Sequence, residues 1–168
     1  MPSAEIARLR DQMAFARSYT SRLLDTVPFA DWFRQPGEGV THVAWQVGHL
    51  TRAEYRLGLE RIRGRLPADE ALVGDSFLAS FAPELAPSPD PSAYPPPETI
   101  RATFDRVHEQ TLREWVGWED ADLAAPLLKP HPIAATKLAS LVWCVQHELI
   151  HAGQIGLLRR LLGQKPLW

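Results

Sequence analysis

Two histidines four residues apart, His147 and His151, lie in the stretch LVWCVQHELIHAGQIGLLRRLLG, residues 141–163. The stretch holds no proline and ends on Gly163, so it reads as a helix. An i, i+4 pair on a helix stacks one turn apart on one face. Two imidazoles so placed can grip one transition-metal ion. Gln154, seven residues after His147, returns to the same stripe, where it is placed to bond a ligand or to orient a histidine. Ser140, Trp143 and Leu158 continue the stripe, which is otherwise apolar. Glu148 completes a match to the H-E-x-x-H pattern of zinc peptidases, whose glutamate is the base for a metal-bound water. A peptidase needs a further ligand beyond the helix and a strand edge for its substrate, and this chain shows no convincing strand. Helix geometry turns Glu148 about 60° from the His151 direction, a flank position that suits either assistance to other metal chemistry or a salt bridge. Cys144 is turned away from His147 by a similar angle and reads as a small buried hydrophobe.

The opposite face of this helix, Leu138, Val142, Val145, Leu149, Ala152 and Gly156, is apolar as well. A helix buried on both sides is central to its domain or lies in a subunit interface. A second candidate site helix starts after Thr41, its expected cap, and runs to about residue 63 or 64 with Val43, Val47, Leu50 and Leu57 as its apolar stripe. His49 flanks that stripe. Trp45 sits one turn before His49, as Trp143 does before His147, and both can wall a site. Arg52 and Arg56 lie within about 60° of the His49 direction and suit a carboxylate of a substrate or of a small thiol. His42, His108 and His131 read as flank or helix-end residues without a special role.

Two more long helices are expected. One is capped by Ser3 and runs to about Val27; the other starts at Glu98 and buries Ile100, Phe104, Val107, Thr111 and Trp115. Thr136 caps the last helix. Between residues 64 and 97 fall eight of the chain's fifteen prolines, so the segment reads as a long loop with one helical turn at 68–72. Its Phe77, Phe81 and Tyr94 should pack over the site as a lid. With 168 residues, 45% apolar content and six tryptophans, residues 1–168 make one domain with a sizeable core. A net charge of −2 gives no general attraction for nucleic acid, and no apolar run reaches the ~18 residues of a membrane span. The single cysteine excludes an internal disulfide and fits a reducing, cytoplasmic setting.

The C-terminal helix, His147-x-x-x-His151-x-Gly153-Gln154-Ile155, resembles the signature helix of the DinB-like superfamily. His49 in VAWQVGHLTRAEY resembles that family's first metal histidine on its second helix. The family includes S-transferases that use bacillithiol or mycothiol, mycothiol-dependent maleylpyruvate isomerases and many uncharacterised chains assigned as metal-dependent hydrolases. The resemblance implies an all-α, up-down-down-up four-helix bundle with a long proline-rich connection between its second and third helices. It also implies a divalent metal held by His49, His147 and His151, and often a homodimer. Three neutral imidazoles leave coordination positions open, as a catalytic site requires, and all-nitrogen ligation suits zinc, nickel, iron or copper. The expected function is a thiol-dependent S-transferase acting on a small electrophile, with a low-molecular-weight thiol as co-substrate. A metal-dependent hydrolase of a small ester or amide and a non-catalytic, metal-binding stress-response protein are the alternatives.

Overall fold

The computed structural model of the chain describes residues 3–167. These are helical, with no strand among them beyond one isolated bridge between Pro126 and Thr136. Helix α1 (Ala4–Leu24) begins where expected, the Ser3 hydroxyl accepting from the Ile6 amide at 3.3 Å. It buries Ile6, Leu9, Met13, Ala16, Thr20 and Leu23, the three-to-four spacing of one helix face. It stops at Leu24, before Val27, although Val27 remains in the core.

Helix α2 (Val43–Tyr55) is capped by His42 and not by Thr41. The Nδ1 of His42 accepts from the Trp45 amide at 3.1 Å, while its Nε2–H donates to the Ser88 carbonyl at 2.9 Å. Thr41 is occupied instead by the side-chain amide of Gln46. His42 therefore joins the start of α2 to the proline-rich segment, a role its position near a helix end did not suggest. Burial holds its pKa below the ordinary histidine value.

After Tyr55 the helix widens into a π turn (Arg56–Glu60) and closes with Arg61–Arg63, ending at Gly64 with φ +88°. A π turn breaks the regular i to i−4 ladder. Two carbonyls of this turn are met by side chains from other helices: Leu57 by the Ser140 hydroxyl at 2.8 Å, and Gly58 by the Trp115 indole N–H at 3.1 Å.

Residues 64–97 hold more structure than a loop. They contain the expected short helix, α3 (Asp69–Leu72), a further one, α4 (Asp75–Ser80), and a 3-10 turn (Pro91–Ala93). Asp69 pins the entry by accepting from the Tyr55 hydroxyl, the Arg63 guanidinium and the Leu66 amide. Phe81 is fully buried and stacks against Tyr94 at 5.3 Å between ring centroids. Its ring lies flush on α2 at Gly48, where an added Cβ would come within 2.3 Å of it. Only a glycine allows that approach.

Helix α5 (Pro97–Trp115) follows, then a short α6 (Asp120–Ala124) closed by a Glu119–Asp122 capping box, which the proline-punctuated sequence did not suggest. Helix α7 (Lys137–Leu161) is capped by Thr136 and stopped at Gly163, whose φ is +90°. Among the four long helices, α7 lies against α1 and α2, α2 against α5, and α1 more lightly against α5. Val145 and Ala152, on the second apolar face of α7, are buried within the chain. The chain therefore covers that face in part: Leu138, Val142 and Gly156 are half-buried and Leu149 is 41% exposed. No described helix is long and apolar enough to cross a membrane.

Each long helix sends one polar side chain into a shared buried network. Arg17 of α1 donates to Glu54 of α2 at 2.6 Å and to Glu148 of α7 at 3.0 Å, and His108 of α5 meets Glu54 at 3.0 Å. Burial opposes the charge on Arg17, yet the two carboxylates outweigh it and hold its pKa above the usual value. Glu54 is likewise held below the carboxylate range, Arg17 and His108 overcoming the effect of burial.

Candidate metal centre

His49 comes from the middle of α2, and His147 and His151 from the middle of α7, so the α2–α7 contact brings the three together. One ring nitrogen from each lies within 4.8 Å of the others. The Nε2 atoms of His147 and His151 are 3.2 Å apart. Tetrahedral bonds of about 2.0–2.1 Å to zinc would separate two ligand nitrogens by roughly 3.3 Å, so this pair already has the spacing of two ligands on one ion. His151 reaches that geometry because its Nδ1–H donates to the Gln46 side-chain carbonyl at 2.5 Å, which leaves Nε2 with its lone pair directed at His147. Gln46 is fixed in turn by donating to Thr41. The His49 ring is buried, its Nδ1 without a hydrogen bond of normal geometry and the Phe81 backbone beside it. His49 is also stacked on Trp45, with ring centroids 4.8 Å apart and planes 6° from parallel.

Electrostatics keep the three rings neutral. Burial, then repulsion from His49 and His131, lowers the pKa of His147 to about 4. Burial, then His147 and His49, takes His151 to about 3, with Gln154 opposing slightly. His49 is lowered by burial and by Arg52, partly offset by the Phe81 backbone. Neutral imidazole is the form that binds metal. The donor set, its spacing and its protonation therefore fit a divalent ion.

A cleft of about 610 Å³ opens from His49 and His147 to solvent, walled by Trp143, Leu57 and Pro83 and rimmed by Arg52, Arg56, Arg61 and Lys129.

Residues 12–155 match the DinB superfamily. The chain belongs to the DinB superfamily. No curated protein matches it. In this DinB-superfamily chain the candidate site residues divide by where the packing sends them. His49, His147 and His151 converge, and Arg52 and Arg56 line the cleft beside them. Trp45 covers the His49 ring, and it is Trp143 that faces the cleft. Gln154 is exposed but close enough to act on His151. Glu148 is not brought to the site: it is 1% exposed and bound to Arg17 on the far side of α7. The peptidase reading of H-E-x-x-H therefore lacks its base. Cys144 lies in the core, its thiol pKa pushed well up by burial and by the nearby carboxylates.

Sequence reasoning missed Gln46 as the orienting group for His151. Its position one turn before His49 was the available signal. It also left out His131, which stands on the cleft wall.

Proposed function

We propose that this protein is a cytoplasmic, divalent-metal-dependent S-transferase that joins a small thiol to a small electrophile. The observation that carries the reading is the convergence of three neutral imidazoles at an open cleft whose one carboxylate among the described lining residues, Glu60, is bound by Arg56 and Lys129. A hydrolase acting through water would want a general base within hydrogen-bond reach, and Glu148 is committed elsewhere. A thiol needs less help. A divalent ion, whether zinc, nickel or iron, supplies Lewis acidity that holds a thiol as its more nucleophilic thiolate near neutral pH.

The chain's own residues supply the rest. His49, His147 and His151 hold the ion, and Gln46 fixes the tautomer of His151. Gln154 adjusts the same ring from the solvent side. Trp143, Leu57 and Pro83 give the electrophile apolar walls, and Arg52 and Arg56 orient the substrates. In the reaction the thiol proton leaves to solvent, a sulfur–carbon bond forms, and the leaving group departs with the electron pair of the bond it breaks.

In this reading the four long helices form an up-down-down-up bundle, and the segment from 64 to 97 is the lid. Two copies pair through the residues that α7 leaves exposed, Leu149, Ile150, Leu157 and Leu161; light scattering at micromolar concentration reads the mass.

The direct test is turnover of an activated aryl halide by zinc-, nickel- and iron-loaded protein, with and without added thiol, followed by mass spectrometry of the product. A thioether that forms only with protein, metal and thiol together is expected. Ester or amide cleavage that needs metal but ignores added thiol would replace this reading with the hydrolase.

A further inference from the structure

The cleft that opens on the histidines is cationic in a chain whose net charge is −2. Its lining presents Arg52, Arg56, Arg61 and Lys129 against a single carboxylate, Glu60. The partners of these groups are unequal. Glu60 already receives both Arg56 and Lys129. Arg61 donates to the carbonyls of Lys129 and Pro130, which holds the opposite rim of the cleft. Arg52 alone of the four makes no hydrogen bond or ion pair with any described residue, and its Nε is buried without a partner. Burial, followed by repulsion from Arg56, lowers its pKa, while Glu84 offsets this only in part. The Nε atoms of Arg56 and Arg61 are buried without a partner as well, but only Arg52 has no terminal donor that a described residue takes, which leaves its terminal nitrogens open to an anionic ligand.

We infer that Arg52, supported by Arg56, is a carboxylate subsite, so that one of the two substrates carries a carboxylate a few bonds from its reacting atom. The inference rests on the metal-site reading and deepens it. Arg52 and Arg56 stand one and two turns beyond His49 on the same helix, about 5 and 10 Å along its axis. A guanidinium there can take both oxygens of a carboxylate while a sulfur or electrophilic carbon of the same small molecule reaches the histidines. Either substrate can be the bearer: an amino-acid-derived thiol, or an electrophile with an acid side arm.

Calorimetry with matched probes tests this. For zinc-loaded protein the pair is N-acetylcysteine and N-acetylcysteamine, which differ by the carboxylate alone. For metal-free protein the pair is 3-phenylpropionate and 3-phenylpropanol. The acid should bind about tenfold or more tightly than its neutral partner in each pair, as expected for a charge-assisted bond. Arg52→Gln should erase the ratio without changing the melting temperature or the zinc content, and Arg52→Lys should restore part of it. Equal affinities within both pairs, or a ratio that survives in Arg52→Gln, overturn the subsite. Should neither thiol bind the zinc-loaded protein while 3-phenylpropionate is still held through Arg52, the subsite stands and the thiol chemistry falls. Turnover with each combination of charged and neutral thiol and electrophile then identifies the bearer: the acid form of one raises kcat/KM in wild type and not in Arg52→Gln. No gain from either acid form overturns the assignment.

Discussion

Gln46 controls the site without touching the place where a ligand would sit. Its carbonyl takes the Nδ1 proton of His151 and thereby presents Nε2 beside the Nε2 of His147. Loss of such an orienting partner lowers metal affinity by roughly 10–100-fold, so Gln46→Ala should weaken zinc binding by that amount in a chelator competition. His147→Ala or His49→Ala should abolish it. Unchanged affinity in Gln46→Ala would show that another group fixes the ring. The same histidines make the metal-free protein sensitive to acid. In the unfolded chain an imidazole titrates near 6.5, whereas His147 and His151 titrate at about 4 and 3 in the fold. Above pH 6.5 neither state binds these protons, and the stability is intact. As the pH falls below 6.5 the unfolded chain takes up protons that the folded chain refuses. The melting temperature of the metal-free protein should therefore drop between pH 6.5 and 4. Alanine at both positions should flatten that part of the curve.

The proline-rich segment acts as an element because of one close approach. The ring of Phe81 sits where a Cβ of residue 48 would be, 2.3 Å away, and Phe81 ties together Phe77 and Tyr94. Gly48→Ala must push that ring out or bend α2. Overpacking of this kind costs about 1–3 kcal/mol, and the expected result is a lower urea midpoint with earlier proteolytic cleavage between residues 64 and 97. A substitution without effect on either would mean the segment is not held through Phe81. His42 secures the far end of the segment through Ser88.

At the scale of the molecule, the Arg17 network decides which way α7 faces. Arg17 draws Glu148 inward and Glu54 across from α2, leaving the histidine face of α7 toward the cleft. Removal of one partner from a buried ion pair costs about 3–5 kcal/mol because the remaining charge is stranded. Arg17→Met should destabilise by that order in denaturant titration, or prevent folding. Glu148→Gln separates structure from catalysis: it should lower stability while leaving zinc affinity and turnover close to wild type. Lost turnover in a folded, zinc-bound Glu148→Gln protein would place that carboxylate in the chemistry after all.

The sequence by itself determined the local features: the long helices, the Ser3 and Thr136 caps, the stop at Gly163 and the shared direction of His147 and His151 on α7. Helical periodicity fixes side-chain directions relative to the helix's own axis. It does not say what stands opposite them. Glu148 lies next to His147 in the chain and was legible as a flank residue, but its partner is 131 residues away. Thr41 and His42 are both able to cap, and the choice fell to His42 because a carbonyl 46 residues on was there to take its other nitrogen. Gln46 became an orienting residue only when α2 met α7. Those decisions belong to the tertiary structure, because a buried polar group takes its role from whichever distant partner satisfies it.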